Sequence, residues 1–117
     1  MPTMSIASFN INSLRIRQHD LLAWMQRDNI DIVALQETKV QDKDFPAVFF
    51  RDAGYDVFYQ GEKGKNGIAV LTNTPVVRLD HTHPAGLPGE ARFQALQHAN
   101  FTLVNTYVPQ GREVGTD

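Results

Sequence analysis

The stretch IDIVALQE, Ile30–Glu37, carries four consecutive apolar residues, Ile32 to Leu35, and then turns polar at Gln36 and Glu37. A short continuous run rich in branched side chains, rather than an alternating one, reads as a strand covered on both faces. Such a strand belongs in a layered domain with something packed above it and below it.

The flanking segments fit that picture. Upstream, Leu21, Leu22 and Met25 recur at helical spacing between His19, Asp20, Gln26 and Arg27, so an amphipathic helix is expected over Gln18–Asp28. Before it, Ser5–Ile11 alternates with the two-residue period of a strand. Downstream, Phe45–Ala53 reads as a short helix entered through Pro46 and closed by Gly54. "YDVFYQG" alternates again, and "GEKGKNG" reads as a hairpin loop leading into "IAVLTN". Thr74-Pro75 breaks the chain, "VVRLDH" is a short edge strand and "PAGLPGE" a turn-rich loop. Arg92–Gln97 and Phe101–Tyr107 are the last strands, joined around His98-Ala99-Asn100. With no repeat and no linker, the order suggests one α/β or α+β domain, a mixed sheet with helices on one face.

Bulk properties narrow the class of function. The 117 residues suffice for one modest domain, and 42% hydrophobic with 21% charged residues is an ordinary globular composition. There is no basic-then-apolar leader, and no apolar run approaches the roughly 18 residues of a membrane span. A soluble chain without membrane partners is expected. The absence of cysteine excludes disulfides and thiolate metal sites and fits a cytoplasmic location. A formal charge of −2 excludes a wholly basic polyanion binder. Arg15, Arg17, Lys39, Lys63, Lys65, Arg92 and Arg112 nevertheless fall in or beside loops, where they form a local basic rim or simply a solvated surface.

Asn10 and Glu37 each stand where a strand is expected to end, and strands sharing a sheet and a direction bring such ends together. A carboxylate and an amide oxygen are hard donors suited to Mg²⁺, which takes its other ligands from water and phosphate. Taken singly, a glutamate there is equally a solvated residue and an asparagine equally a turn former. The four histidines show no metal-binding spacing, although "HTH" could place two on one strand face.

Three stretches in register, "SFNINSLR", "LQETK" and "NTYVPQG", together with "GYDVFYQGEKGKNGIAVLT", resemble the exonuclease III-like AP endonucleases of the endonuclease/exonuclease/phosphatase superfamily. The resemblance runs from Ser5 to about Gly111. It implies the N-terminal part of a four-layer, DNase I-like α/β-sandwich, with residues 1–117 lacking the C-terminal portion. It also implies a metal-dependent hydrolase, with Mg²⁺ or alternatively Mn²⁺, that acts on double-stranded DNA. Such enzymes cleave 5′ to abasic sites and remove nucleotides from 3′ ends.

Carried over by motif, Glu37 is the metal-binding glutamate, Asn10 the asparagine beside the metal and its hydrogen-bond network, and Asn12 a further metal-proximal residue. Tyr107 is the tyrosine facing the scissile phosphate. Arg15, Gly64, Lys65, Asn66, Arg92, Gln110 and Gly111 fall where the family meets the DNA backbone. These roles suit phosphodiester cleavage, which needs developing negative charge stabilised and a water held in line. Glycine-exposed amides and a few cations grip phosphate without reading bases.

The departure from the family follows Gly111: the "GDxN" aspartate and asparagine, a further aspartate and the closing Asp-His pair have no counterpart here. No residue offers itself as a base for water, so the isolated chain is expected to be inert or poor. The chain is expected to build one sheet whose second face is apolar and needs the missing portion, or another chain, to cover it. Two alternatives stay open: a non-catalytic fragment or DNA-binding or interaction module, and a superfamily phosphatase, which leaves "NSLR" and "YVPQG" without a purpose.

Overall fold

The computed structural model describes residues 4–62, 64–79 and 93–106. Its elements run β1 (Ile6–Asn10), α1 (Leu14–Arg27), β2 (Ile32–Gln36), a 3₁₀ turn (Asp42–Asp44), α2 (Ala47–Asp52), β3 (Asp56–Glu62), β4 (Lys65–Thr72), β5 (Val77–Arg78), β6 (Phe93–Gln97) and β7 (Thr102–Thr106). The first sheet has the order β1-β2-β4-β3, with β1 parallel to β2 and the other pairs antiparallel. A second, antiparallel sheet has the order β5-β6-β7.

The apolar run of β2 lies where the burial is greatest. Val33 and Leu35 join Ala69, Leu71 and Val57 on one face, against Leu14, Leu21 and Met25 of α1 and Phe50 of α2. Ile32 and Ala34 join Val70 on the other face, against Leu96 of β6, with Phe58, Phe101 and Leu103 packed around them. The mixed sheet with helices on one face is therefore present, and β2 is covered twice as its composition requires.

Two local expectations change. α1 begins at Leu14 rather than Gln18 because Leu14 is fully buried and its N–H is held by the Thr38 carbonyl; the exposed Arg15, Ile16 and Arg17 hide that first turn from the apolar periodicity. The expectation of a single sheet is also corrected. After β4, Thr72 Oγ1 donates to the Thr74 carbonyl at 2.9 Å and accepts from the Thr74 N–H at 3.1 Å, and Pro75 offers no N–H to continue a ladder. The chain leaves the first sheet there, and its last three described strands pack over the second face.

Both helices stop by the same device. Asn29 and Gly54 take positive φ, 54° and 99°, while Ile30 N–H bonds to the Met25 carbonyl and Tyr55 N–H to the Phe50 carbonyl. Each bond pulls a hydrophobic side chain back onto the helix just completed. In the first sheet β1 is an outer strand among the described residues, with Ile6 about half exposed. Beside it runs a groove of about 250 Å³ lined by Phe9, Ile11, Arg17, Asp20, Leu21 and Trp24. No described helix is long and apolar enough to cross a membrane.

Candidate functional site

Parallel pairing of β1 with β2 sets Asn10 opposite Gln36, so the two strands end side by side. The pairing then continues beyond the strands. Ile11 N–H donates to the Gln36 carbonyl at 2.9 Å, Ser13 N–H to Glu37 at 2.8 Å and Leu14 N–H to Thr38 at 2.9 Å. From the opposite flank, Thr38 N–H donates to the Gly67 carbonyl at 3.1 Å and Lys39 N–H to Asn66 at 2.9 Å. Glu37–Lys39 is thus held by the segment after β1 on one side and by the start of β4 on the other. Three stretches far apart in sequence, "NSL", "ETK" and "NG", become one rim.

The backbone of this rim is unusual. Asn12, Ser13, Glu37, Lys39 and Asn66 all have positive φ, between 49° and 88°, and Gly64 and Gly67 take 74° and 96°. Away from the rim, among the described residues, only the helix-end residues Asn29 and Gly54 share that conformation. A non-glycine residue there costs about 1–2 kcal/mol, and such outliers persist where surrounding bonds over-determine them, characteristically at functional sites. Left-handed φ at Glu37 also breaks the side-chain alternation that a continuing strand would impose.

Close packing braces the rim. A Cβ at Gly67 would collide with the Thr38 hydroxyl, and one at Gly61 with the Val40 carbonyl. Thr38 is buried, and its Oγ1 has no hydrogen-bond partner among the described residues. Against the end of β2, Asn105 of β7 is 2% exposed and fully engaged. Its Nδ2 donates to the carbonyls of Leu35 at 3.1 Å and Ala69 at 3.2 Å and to Gln94 Oε1 at 2.9 Å, while its Oδ1 accepts from Gln36 Nε2 at 2.9 Å. Leu35 and Ala69 are partners in the β2–β4 register, so one side chain fastens the second sheet over the join of two strands in the first.

Side chains with chemistry gather at this rim. Asn10 is exposed and Glu37 half-buried. Asn12, also exposed, accepts from Lys39 Nζ at 2.8 Å through its Oδ1 and from Arg17 Nε at 3.4 Å through its carbonyl. Arg15, Lys39 and Gly64 line a cleft of about 260 Å³ with Val40, Gln41 and Asp44. Lys65 is exposed and Asn66 half-buried at the start of β4. Of the residues singled out from sequence, Asn10, Asn12, Arg15, Glu37, Gly64, Lys65 and Asn66 therefore lie on or beside one rim. Arg92, Tyr107, Gln110 and Gly111 fall outside the described residues.

Two participants were missed. Lys39 counted only as rim charge, although it is the last residue of "LQETK". Asn105 is signalled by a polar residue two places after Leu103, on the face of β7 that points inward.

As a cation site the rim is sparse. Among the described residues no group of three or more histidines, aspartates or glutamates is placed to hold a metal. One carboxylate and one amide oxygen at adjacent strand ends fit a hard divalent cation that takes most of its coordination from water and phosphate. They do not fit an all-protein cage.

Comparison with known proteins gives this rim a context. The profile of the Endonuclease/Exonuclease/phosphatase family matches residues 7–111. Exodeoxyribonuclease III of Haemophilus influenzae is 36% identical over 113 residues, covering 92% of this chain and 42% of that protein. An exodeoxyribonuclease of Bacillus subtilis is 30% identical, covering 93% and 44%. Among solved structures, an AP endonuclease from Archaeoglobus fulgidus superposes with a TM-score of 0.85 at 36% identity, over 93% of this chain and 42% of that one. A 3′ phosphatase from Neisseria bound to product DNA hairpin gives 0.78 at 28% identity, over 90% and 41%. The chain spans about two-fifths of the length of these proteins, and over that span its layers are those of the DNase I-like sandwich. Because the family profile runs through β1, the rim and both described sheets, the chain belongs to the endonuclease/exonuclease/phosphatase family.

Proposed function

We propose that the chain is part of a metal-dependent DNA-repair phosphodiesterase, an AP endonuclease and 3′-5′ exodeoxyribonuclease that cleaves 5′ to abasic sites. The convergence of Asn10 and Glu37 on one doubly pinned rim carries this reading. The names of the relatives, exodeoxyribonucleases and AP endonucleases, support its choice of substrate. Double-stranded DNA with abasic sites or 3′ ends is the partner, and the cytoplasm the compartment.

Glu37 and Asn10 would hold Mg²⁺, or Mn²⁺ in its place, with Asn12 alongside. The ion supplies charge stabilisation at the scissile phosphate. The chain's own residues orient and hold. The Ser13 bond to the Glu37 carbonyl fixes the backbone from which that side chain springs. Arg15, Lys65 and the Gly64–Asn66 turn grip the DNA backbone, joined by Arg92, Gln110 and Gly111, and Tyr107 donates its hydroxyl to the phosphate. These last four assignments rest on their motifs.

One carboxylate at the strand ends, among the described residues, is a thin ligand set, so we infer that the 117 residues alone are inert or poor. The remainder of the relatives' fold, or a second chain, completes the site and covers what stays open. The outer strand β1 with half-exposed Ile6 and its apolar groove, and Val77 and Val104 on the second sheet, are surfaces of the kind such a portion buries. The same thin ligand set favours the second reading, a non-catalytic DNA-binding module.

Incision of an abasic-site duplex, in Mg²⁺ and in chelator, separates these readings when run on the 117-residue chain and on a chain carried to the relatives' full length. We expect incision by the long chain only, in Mg²⁺ only. Cleavage by the short chain that disappears in Glu37→Ala would overturn the inertness. A long chain that binds the duplex without cutting it would leave the binding module.

A further inference from the structure

We propose that Lys39 is a phosphate-binding cation of the rim and that Asn12 is its holder rather than a ligand of the divalent ion. This rests on the nucleic-acid reading above and adds a residue and a division of labour to it.

Asn12 Oδ1 accepts from Lys39 Nζ at 2.8 Å, the length of a charge-assisted hydrogen bond. A divalent cation on the same amide oxygen would stand next to an ammonium, and two cations sharing one neutral acceptor repel. The contact therefore takes Asn12 out of the metal's ligand set and pairs it with Lys39.

Lys39 is suited to phosphate binding by its base as much as by its tip. Its φ is 56° and its N–H is bonded to the Asn66 carbonyl at 2.9 Å, so the backbone from which the side chain springs is fixed. An ammonium has three donors, of which Asn12 takes one. The cleft that Lys39 lines also receives Arg15 and Gly64, and the carboxylate of the one acidic residue among its described lining, Asp44, accepts from Gln41 Nε2 at 2.9 Å. Among its described residues two cations face one acid, and its volume of about 260 Å³ admits a phosphate group. A held lysine meets that phosphate with less ordering left to do than a free one.

The test is binding of a fluorescein-labelled abasic-site duplex by the 117-residue chain in EDTA, by anisotropy, across 50–200 mM salt. Each phosphate contact contributes roughly 0.9 to the slope of log affinity against log salt. Lys39→Met is expected to lower the slope by about that amount, so that the wild-type affinity falls about threefold further across the series. Lys39→Arg should keep the slope. Asn12→Ala, which keeps the ammonium but frees it, should weaken binding at every salt with the slope unchanged. A second measurement follows Mn²⁺ by electron paramagnetic resonance: Asn12→Ala should bind it as the wild type does, within about twofold, while Glu37→Gln should lose tenfold or more. Circular dichroism of each variant checks the fold. A wild-type slope in Lys39→Met, or loss of Mn²⁺ in Asn12→Ala equal to that in Glu37→Gln, overturns the inference and leaves the nucleic-acid reading standing. A wild-type chain that does not bind the duplex overturns the inference, whereas the reading falls only if the full-length chain fails to incise.

Discussion

Gly67 packs so closely on Thr38 that position 67 has no room for a Cβ beside the Thr38 hydroxyl. The same glycine sits at φ 96° and gives its carbonyl to the Thr38 N–H. Steric, conformational and hydrogen-bonding demands therefore meet at one residue of the rim.

Gly67→Ala should destabilise the chain by about 2–4 kcal/mol, the sum of a strained φ and a clash that pushes Glu37–Lys39 outward. Combining it with Thr38→Ala should recover about 1 kcal/mol or more, because the colliding hydroxyl is gone. Urea denaturation of the two single variants and the double variant measures the coupling. Strict additivity would show that the two residues do not press on each other.

Thr38→Val alone should be neutral or stabilising by about 1 kcal/mol. The hydroxyl is buried with no partner among the described residues, and an unpaired buried polar group costs about 1–3 kcal/mol that a methyl does not. A loss of more than about 1 kcal/mol in the unfolding free energy from urea titration would mean that the hydroxyl has a partner in solution.

Asn105→Asp should be worse than Asn105→Ala. An ionised carboxylate cannot donate to the Leu35 and Ala69 carbonyls and would lie buried against them, at a cost of about 3 kcal/mol or more. Acidification should recover part of the loss in the aspartate variant, because the protonated acid regains one donor, and none in the alanine variant. Chemical denaturation at pH 7 and pH 4 decides between them.

Tyr55 sets an alkaline limit. Burial, and then the Asp31 carboxylate, hold its pKa above the ordinary 10.0, and its hydroxyl donates to the Ile30 carbonyl at 3.3 Å. The folded chain keeps a proton that the unfolded chain releases first, so this contribution to stability is complete below about pH 10 and declines as pH rises through the raised value. Tyr55→Phe should flatten that decline while costing about 1 kcal/mol or less at neutral pH. Denaturation midpoints from pH 8 to 11 provide the comparison.

Mn²⁺ should raise the melting temperature of the wild-type chain and leave that of Glu37→Gln unchanged, since an ion that binds only the folded state stabilises it by mass action. An undiminished rise, followed by calorimetry, would move the cation elsewhere.

Much of this was legible in the residues because the signals were local. β2 declared itself by four apolar residues in a row, and the pairing of Asn10 with the end of β2 follows from two strands running the same way. α2 lay within two residues of its expected bounds because proline and glycine mark its ends. The second sheet was not legible as such: strand alternation shows which side chains share a face and is silent about which sheet the strand joins. That depends on the Thr72–Pro75 corner and on Asn105 reaching across to Leu35, a contact between residues 70 positions apart. Lys39 escaped for the same reason, since its partner Asn12 lies 27 residues away.

The doubly pinned rim also governs when the site comes into being. Ser13–Glu37 and Thr38–Gly67 join positions 24 and 29 apart, so each must wait for a long loop to close, and one of them for a parallel pairing. A chain holding only α1, or only the β3–β4 hairpin, has no half-made version of it. Whatever settles on the rim therefore senses closure of the entire sheet, and its grip is felt as a slower global unfolding rather than as a stiffer loop.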